Sequence, residues 1–233
     1  MCSPATTTCE VRAIDAAVPS DAPIDTSDAA PQSLLQRQVT NHAENATTLS
    51  ATLPAAPAAN HLLIMIGANL SGSLATVSGG GAMWTRAAHS VIHSNVEIWY
   101  GVTNGSSATV TIARPSTAAA MWMSVSEWSG LAATNTLDQA SADHDGINPV
   151  TAGSITTTHA PDLVVFAATT ALPNTFTSPT PGTWTALQGI VSATHMQNVW
   201  YRTVTTAGAQ APQVLENRAE GWEAAIAAFR IAQ

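Results

Sequence analysis

The sequence predicts an all-β fold: a two-sheet antiparallel β-sandwich of jelly-roll-like form, built from two similar halves. Three observations predict it. From Leu34 onward apolar residues recur with a period of two, and nothing persuasive recurs at the helical 3.6. Runs rich in Thr, Ser, Val and Ile are separated by clusters of Gly, Pro, Asn and Asp, the punctuation of short strands. The pattern is also written twice, because residues 34–131 and 137–231 align at an offset of 100 to 102 with small gaps. Leu35 falls on Leu137, His42 on His144, Leu63 on Val164, and Trp84-Thr85 on Trp184-Thr185. Trp99-Tyr100 falls on Trp200-Tyr201 and Trp122 on Trp222, and tryptophan is rare enough for such matches to carry weight.

In the first half strands are expected near 34–40, 47–53, 61–68, 94–103, 107–113 and 119–128. Their counterparts fall near 137–142, 150–157, 162–169, 195–205, 210–216 and 221–231. Asn104-Gly105 tolerates the positive φ of a tight turn and predicts a hairpin between its flanking runs. The connections 69–93 and 170–194 carry Gly79-Gly80-Gly81 and Pro179-Thr180-Pro181-Gly182 in matching places, and loops of that length are often functional. Each unit also has the size of an immunoglobulin-like domain, so two tandem domains are the alternative architecture. The short link Ala132–Thr136 favours one shared sandwich over 34–233.

Composition narrows the function. Every basic residue is an arginine, which removes lysine Schiff-base chemistry and lysine-dependent phosphate loops. The lack of lysine, with abundant Ala and Thr, suggests a GC-rich bacterial genome. A net charge of −8 disfavours nucleic acid, which selects a basic stripe. The longest apolar run, Leu62–Ile66, is far short of the roughly 20 residues of a membrane-spanning helix. Residues 1–33 read as a flexible acidic Ala/Pro/Asp-rich tether that holds both cysteines, Cys2 and Cys9. Those two could bridge, could be free thiols, or Cys2 could be the lipidated first residue of a mature lipoprotein. The third reading is favoured, because Cys2-Ser3 followed by runs such as Asp15–Pro19 and Asp28–Pro31 resembles the spacer of bacterial surface lipoproteins.

The run Leu53–Pro57, the apolar strand from Leu62, Trp84-Thr85, Trp99-Tyr100 and Glu127-Trp128-Ser129-Gly130 together resemble a widespread type of bacterial secreted or surface β-sandwich of about 200 residues. That resemblance covers residues 34–233 and implies one domain in which both halves occur together. It brings no assigned activity.

Few residues are candidates for chemistry. Trp84 and Trp184 close the long connections and are the candidate ligand-stacking residues, whereas the other repeated tryptophans read as core. Glu97 and Glu127 lie within predicted strands. Alternation puts Glu127 on the face of Met121, Met123 and Val125, where a carboxylate must be paired or protonated. An arginine such as Arg86 or Arg114 is the expected partner, and a glycosidase-like pair is the alternative use. His89 and His93 are four apart, with His195 near the matching place, but no further metal ligands can be named. Asp143, Asp145 and Asn148 carry the Asp-x-Asp-Gly opening of a calcium loop without the closing glutamate, so calcium is the candidate cofactor. No Gly-x-Ser-x-Gly, His-Glu-x-x-His, Cys-x-x-Cys or dinucleotide fingerprint occurs.

The expected function is therefore non-enzymatic. The chain reads as an extracellular or surface-tethered sandwich that binds a glycan or a surface protein, or that self-associates, with a lipid anchor as its membrane contact. A carbohydrate-active hydrolase using Glu97 and Glu127 is the alternative.

Overall fold

A computed structural model describes residues 32–70, 72–90, 92, 95–115, 117–192 and 195–233, which form one compact unit. The tether, with Cys2 and Cys9, and His93 lie outside the described residues. The first half contributes β1 (Leu34–Ala46), β2 (Thr48–Thr52), β3 (Leu62–Asn69), β4 (Thr76–Gly79), β5 (Thr85–Ser90), β6 (Val96–Val102), β7 (Thr109–Ala113) and β8 (Ala119–Ser129). The second contributes β9 (Leu137–Asp145), β10 (Val150–Thr151), β11 (Ile155–Thr156), β12 (Asp162–Thr170), β13 (Thr185–Ala186), β14 (Ile190–Val191), β15 (Met196–Val204), β16 (Ala209–Gln210), β17 (Gln213–Val214) and β18 (Trp222–Arg230). No helix occurs among the described residues.

The pairing is antiparallel throughout and nearly the same in both halves. One large sheet has the order β1-β8-β3-β6-β5, and the other β9-β18-β12-β15-β13, with β14 also on β15. A small sheet, β2-β7-β4, covers the outer face of the first. The pairs β10-β17 and β11-β16 cover the outer face of the second, where Thr180 also bridges Gln213. The order 1-8-3-6 opposite 2-7-4 is jelly-roll connectivity, so each half is a small jelly roll of its own.

As expected, the chain forms an antiparallel all-β sandwich of two similar halves: the two large sheets pack against each other, and the small sheets cover their outer faces. Burial explains why the sequence folds this way. β3 and β12 are buried at every position and apolar along their middles, Leu62–Ala68 and Leu163–Ala168, because each is covered on both faces. The outer strands β2 and β7 bury every second residue, Leu49 and Ala51 on one and Val110 and Ile112 on the other. Four apolar clusters result, three large and one small, the last of Ala68, Ala120, Trp122 and Ile190. Leu49, Leu63, Met65, Ile112, Met121 and Met123 fill the first jelly roll, and Val150, Val164, Phe166, Trp184, Trp200 and Trp222 fill the second. Leu62, Ile64, Ile98, Trp128, Leu163, Val165, Val199 and Phe229 form a shared central core from both halves. Aromatic contacts cross this seam at Trp128–Tyr201 (centroids 4.8 Å apart), Tyr100–Phe229 (5.4 Å) and Trp122–His195 (4.1 Å). The halves are thus not the two independent beads of the tandem alternative.

The crossings also set orientation. Trp122 lies beside the end of β3 and His195 beside the end of β12, so both strands finish at the same end of the molecule.

Three expectations are corrected. Asn104-Gly105 does not close a hairpin, because β6 pairs with β3 and β5 while β7 pairs with β2 and β4. Gly105 has φ +79°, and its N–H donates to Thr103 Oγ1 in a turn that carries the chain from the large sheet to the small one. The connections 69–93 and 170–194 contain β4, β5, β13 and β14, short edge segments without a strong alternating pattern. The match of Trp122 with Trp222 is also out of register. Leu62 pairs with Trp128 and Leu163 with Phe229, which fixes the offset at 101 and places Trp222 opposite Met121 and Trp122 opposite Glu223. A one-residue slip reverses the face, so Trp122 points to the seam and Trp222 into the second jelly roll.

Candidate functional site

Glu127 lies on the predicted face, at the end of β8 and fully buried. Its Oε2 accepts from Arg37 on the paired edge strand, and its Oε1 accepts from the Ala58 N–H at 2.9 Å and meets His61 Nδ1 at 2.7 Å. Burial pushes its carboxyl up, but the Ala58 N–H, His61 and Arg37 reverse this and hold it below the ordinary carboxylate range. Glu97 is equally buried on β6. It accepts from the Leu74 N–H at 2.6 Å and Trp99 Nε1 at 2.8 Å, and pairs with Arg86 at 3.4 Å. The partner of Glu127 is thus Arg37 and neither Arg86 nor Arg114, the two expected for it; Arg86 pairs with Glu97 instead.

The sheet does not bring the two glutamates together. Glu97 is registered with Gly67 and Glu127 with Leu63, on opposite sides of β3. Four residues along a strand and two strand spacings across put their backbones on the order of 16 Å apart. Glycosidase carboxylates need about 5–10 Å. Each glutamate fastens a loop to a sheet, and neither faces a cleft.

The second half solves the same problem with different residues. Asp138, on edge strand β9, accepts from the Thr158 N–H at 2.6 Å, Thr158 Oγ1, the His159 N–H and Arg230 on β18. Carboxylate and arginine have exchanged strands relative to Arg37 and Glu127. Asp138 is held below the usual range despite burial, chiefly by Thr158. Asp162, fully buried at the start of β12, receives no hydrogen bond on either oxygen; the Asp138 carboxylate lies within hydrogen-bonding reach of it, and His159 Nδ1 stands 3.8 Å away. Burial and the neighbouring Asp138 carboxylate push its pKa up to about 7, against a smaller opposing pull from Arg230. Sequence reasoning missed this cluster, because His159 and Asp162 sit in an ordinary loop-to-strand segment and Asp138 approaches only through strand pairing.

The tryptophan candidates are equivalent and both turned inward. Trp84 Nε1 donates to the Gly79 carbonyl at 3.0 Å and Trp184 Nε1 to the Pro181 carbonyl at 3.1 Å, so each ties down its own loop. Trp84 is half-buried and Trp184 is only 9% exposed, stacked edge-on to Phe166 and covered by the Arg202 guanidinium at 4.5 Å.

The calcium candidates lie at an exposed place, Asp143 and Asp145 at the end of β9 and Asn148 in the β9–β10 connection. Asp143 and Asp145 accept from the next residue's N–H, and Asn148 is committed to the backbone of Glu216 in both directions. Among the described residues no group of three or more His, Cys, Asp or Glu side chains is placed to hold a metal ion. His89 is exposed on β5, whereas His195 is buried against Trp122, and burial lowers its pKa.

Comparison with known protein families, curated proteins and solved structures finds no match.

The surface is uneven. Leu70 follows β3, Ile92 follows β5, Ile147 follows β9, Leu172 follows β12 and Val191 ends β14, and all five are exposed. β5, β9 and β14 run parallel to β3 or β12 within their sheets, so these five, of the eight exposed large apolar residues among the described residues, gather at one end. A cleft of about 490 Å³ opens there between Ile92 of the first half and Ala171, Leu172, Glu220 and Gly221 of the second. Glu44, Asp143, Asp145 and Glu220 stand around this end, with Arg218 paired to Glu220 at 3.0 Å.

Proposed function

We propose that this chain is a non-enzymatic bacterial surface sandwich, tethered through its N-terminal segment, whose task is to bind a protein through the apolar end. The observation that carries the reading is the gathering of exposed aliphatic side chains at one end of the molecule. Scattered surface leucines need no explanation, but exposed apolar side chains gathered at one end, Ile92 and Leu172 of them lining one cleft, suit a contact surface. The acidic groups around it select the partner. They complement an apolar patch with a basic rim and repel a second copy of the same end. Glu97, Glu127 and Asp138 are enclosed and internally bonded, in keeping with a binding role. Cys2 followed by the Ala/Pro/Asp-rich stretch supports a lipid-anchored tether.

The test is binding of the labelled chain to envelope preparations of the source bacterium. Saturable binding that Ile92→Asp/Leu172→Asp abolishes, without loss of folding, is expected. Binding that never saturates, or that survives the double substitution, would contradict the reading.

A further inference from the structure

The outer face of the second jelly roll holds a groove with an arginine that has no counter-ion. Among the described residues Arg37, Arg86, Arg218 and Arg230 each meet a carboxylate, whereas Arg202 meets none. Its guanidinium lies over the Trp184 ring at 4.5 Å. Nη1 donates to the Pro181 carbonyl at 2.9 Å, Nη2 donates to Gln210 Oε1, and the buried Nε has no partner. A half-buried cation fixed on an aromatic face, with donors left over, is a place built for an anionic group.

The surroundings say what carries that group. The groove has a volume of about 350 Å³ and is lined by Arg202, Gln210, Val204 and the threonines 183, 203, 205 and 206. All four threonines are exposed, and their hydroxyls have no partner within the chain among the described residues. Hydroxyls both donate and accept, which matches a polyhydroxylated ligand better than a bare ion. The volume is at the small end of ligand clefts, roughly 300–1,000 Å³.

The halves disagree at this place. At the offset of 101, Gly101 stands where Arg202 does, and a Cβ there would lie 2.5 Å from the Met83 carbonyl, so the first half has no room for a side chain. In the second half Gly182 has φ +89°, and a Cβ there would lie 2.2 Å from Arg202 Nη1. The glycine is what lets the guanidinium reach the loop. The equivalent groove of the first half, between Gly79, Ala82, Met83 and Asn104, has no cation.

We infer that the groove around Arg202 binds an acidic saccharide, its carboxylate or sulfate on Arg202 and its hydroxyls on the threonines. This site is independent of the apolar end. Trp184 then acts as the platform that holds the arginine, and the sugar does not stack on it.

The full chain is titrated calorimetrically with trigalacturonate, a sulfated disaccharide, a neutral galactose trisaccharide and sodium sulfate. Saturable binding of at least one acidic saccharide is expected, with none of the neutral one, and whichever binds identifies the acid group. Arg202→Gln weakens it about tenfold or more, the loss of a charge-assisted pair. Because Arg202 also staples a loop, Thr205→Val/Thr206→Val provides a second variant on exposed positions, expected to weaken binding with unchanged melting. Ile92→Asp/Leu172→Asp leaves saccharide binding intact, which separates this site from the apolar end. The inference is overturned if neither acidic saccharide saturates, if the neutral one binds equally, if sulfate binds as tightly as the saccharide, or if the Arg202 and threonine variants bind like the parent.

Discussion

Replacing Asp162 by asparagine should stabilise this protein at alkaline pH and do little at acid pH. The unfolded carboxyl has its ordinary value of 3.8, and in the fold it rises to about 7, because it is fully buried beside the Asp138 carboxylate. The folded state therefore binds more protons than the unfolded chain between these values, and stability falls as pH rises from about 4 to about 7. A shift of about 3 units at 1.36 kcal/mol each sets the loss at about 4 kcal/mol as an upper bound. The groups facing Asp162 are Asp138 from β9, His159 from the preceding loop and Arg230 from β18. Asparagine keeps the size of the side chain and offers Asp138 an amide donor in place of the acid proton. Urea unfolding at pH 5 and pH 8.5 measures the effect. The parent should lose stability between the two, and Asp162→Asn should lose much less and be the more stable protein at pH 8.5. Equal parent stability at both pH values, or a variant less stable at pH 8.5, would refute the reasoning.

Other outcomes follow from the same geometry. Phe229→Ala should cost about 3–5 kcal/mol and leave a single unfolding transition, because Phe229 packs in the shared core against Tyr100 of the other half; two separate transitions by calorimetry would show the halves to be independent. Glu127→Ala should destabilise by about 3 kcal/mol, since it strands Arg37, His61 and the Ala58 N–H. The folded Glu127 carboxyl is held low, so its contribution is present at neutral pH and lost as pH falls through its folded value; an acid titration of parent and Glu127→Gln checks that sign. Cys2→Ala should move the chain from the membrane fraction of the source cells to the soluble fraction, and an unchanged distribution would rule out the proposed lipid anchor.

Much of the fold was legible in the sequence because its signals are local. Period-two alternation and the doubled tryptophan anchors located most of the strands, and the face of Glu127 followed from counting along β8. What stayed hidden depends on pairing. Asn104-Gly105 is equally good chemistry for a hairpin and for a turn between layers, and only the partners of β6 and β7 decide. Trp122 and Trp222 matched by identity while their register differs by one residue, which no alignment anchored on tryptophan could reveal. Asp138, the His159–Asp162 segment and Arg230 are far apart in sequence and meet only because β18 pairs with β9 on one side and β12 on the other. Arg202 carried no motif, yet it stands where the first half has Gly101, and a disagreement between the repeats was the signal that could have found it.

The central claim, binding through the apolar end, is tested most directly by photocrosslinking on intact cells of the source organism. One chain carries the crosslinker at position 172, and a control chain carries it at position 61, at the opposite end. The account predicts a protein adduct of defined mass from position 172 that Ile92→Asp removes, with none from position 61. Equal labelling from both ends, an adduct of twice the chain's own mass, or no adduct from position 172 would contradict it.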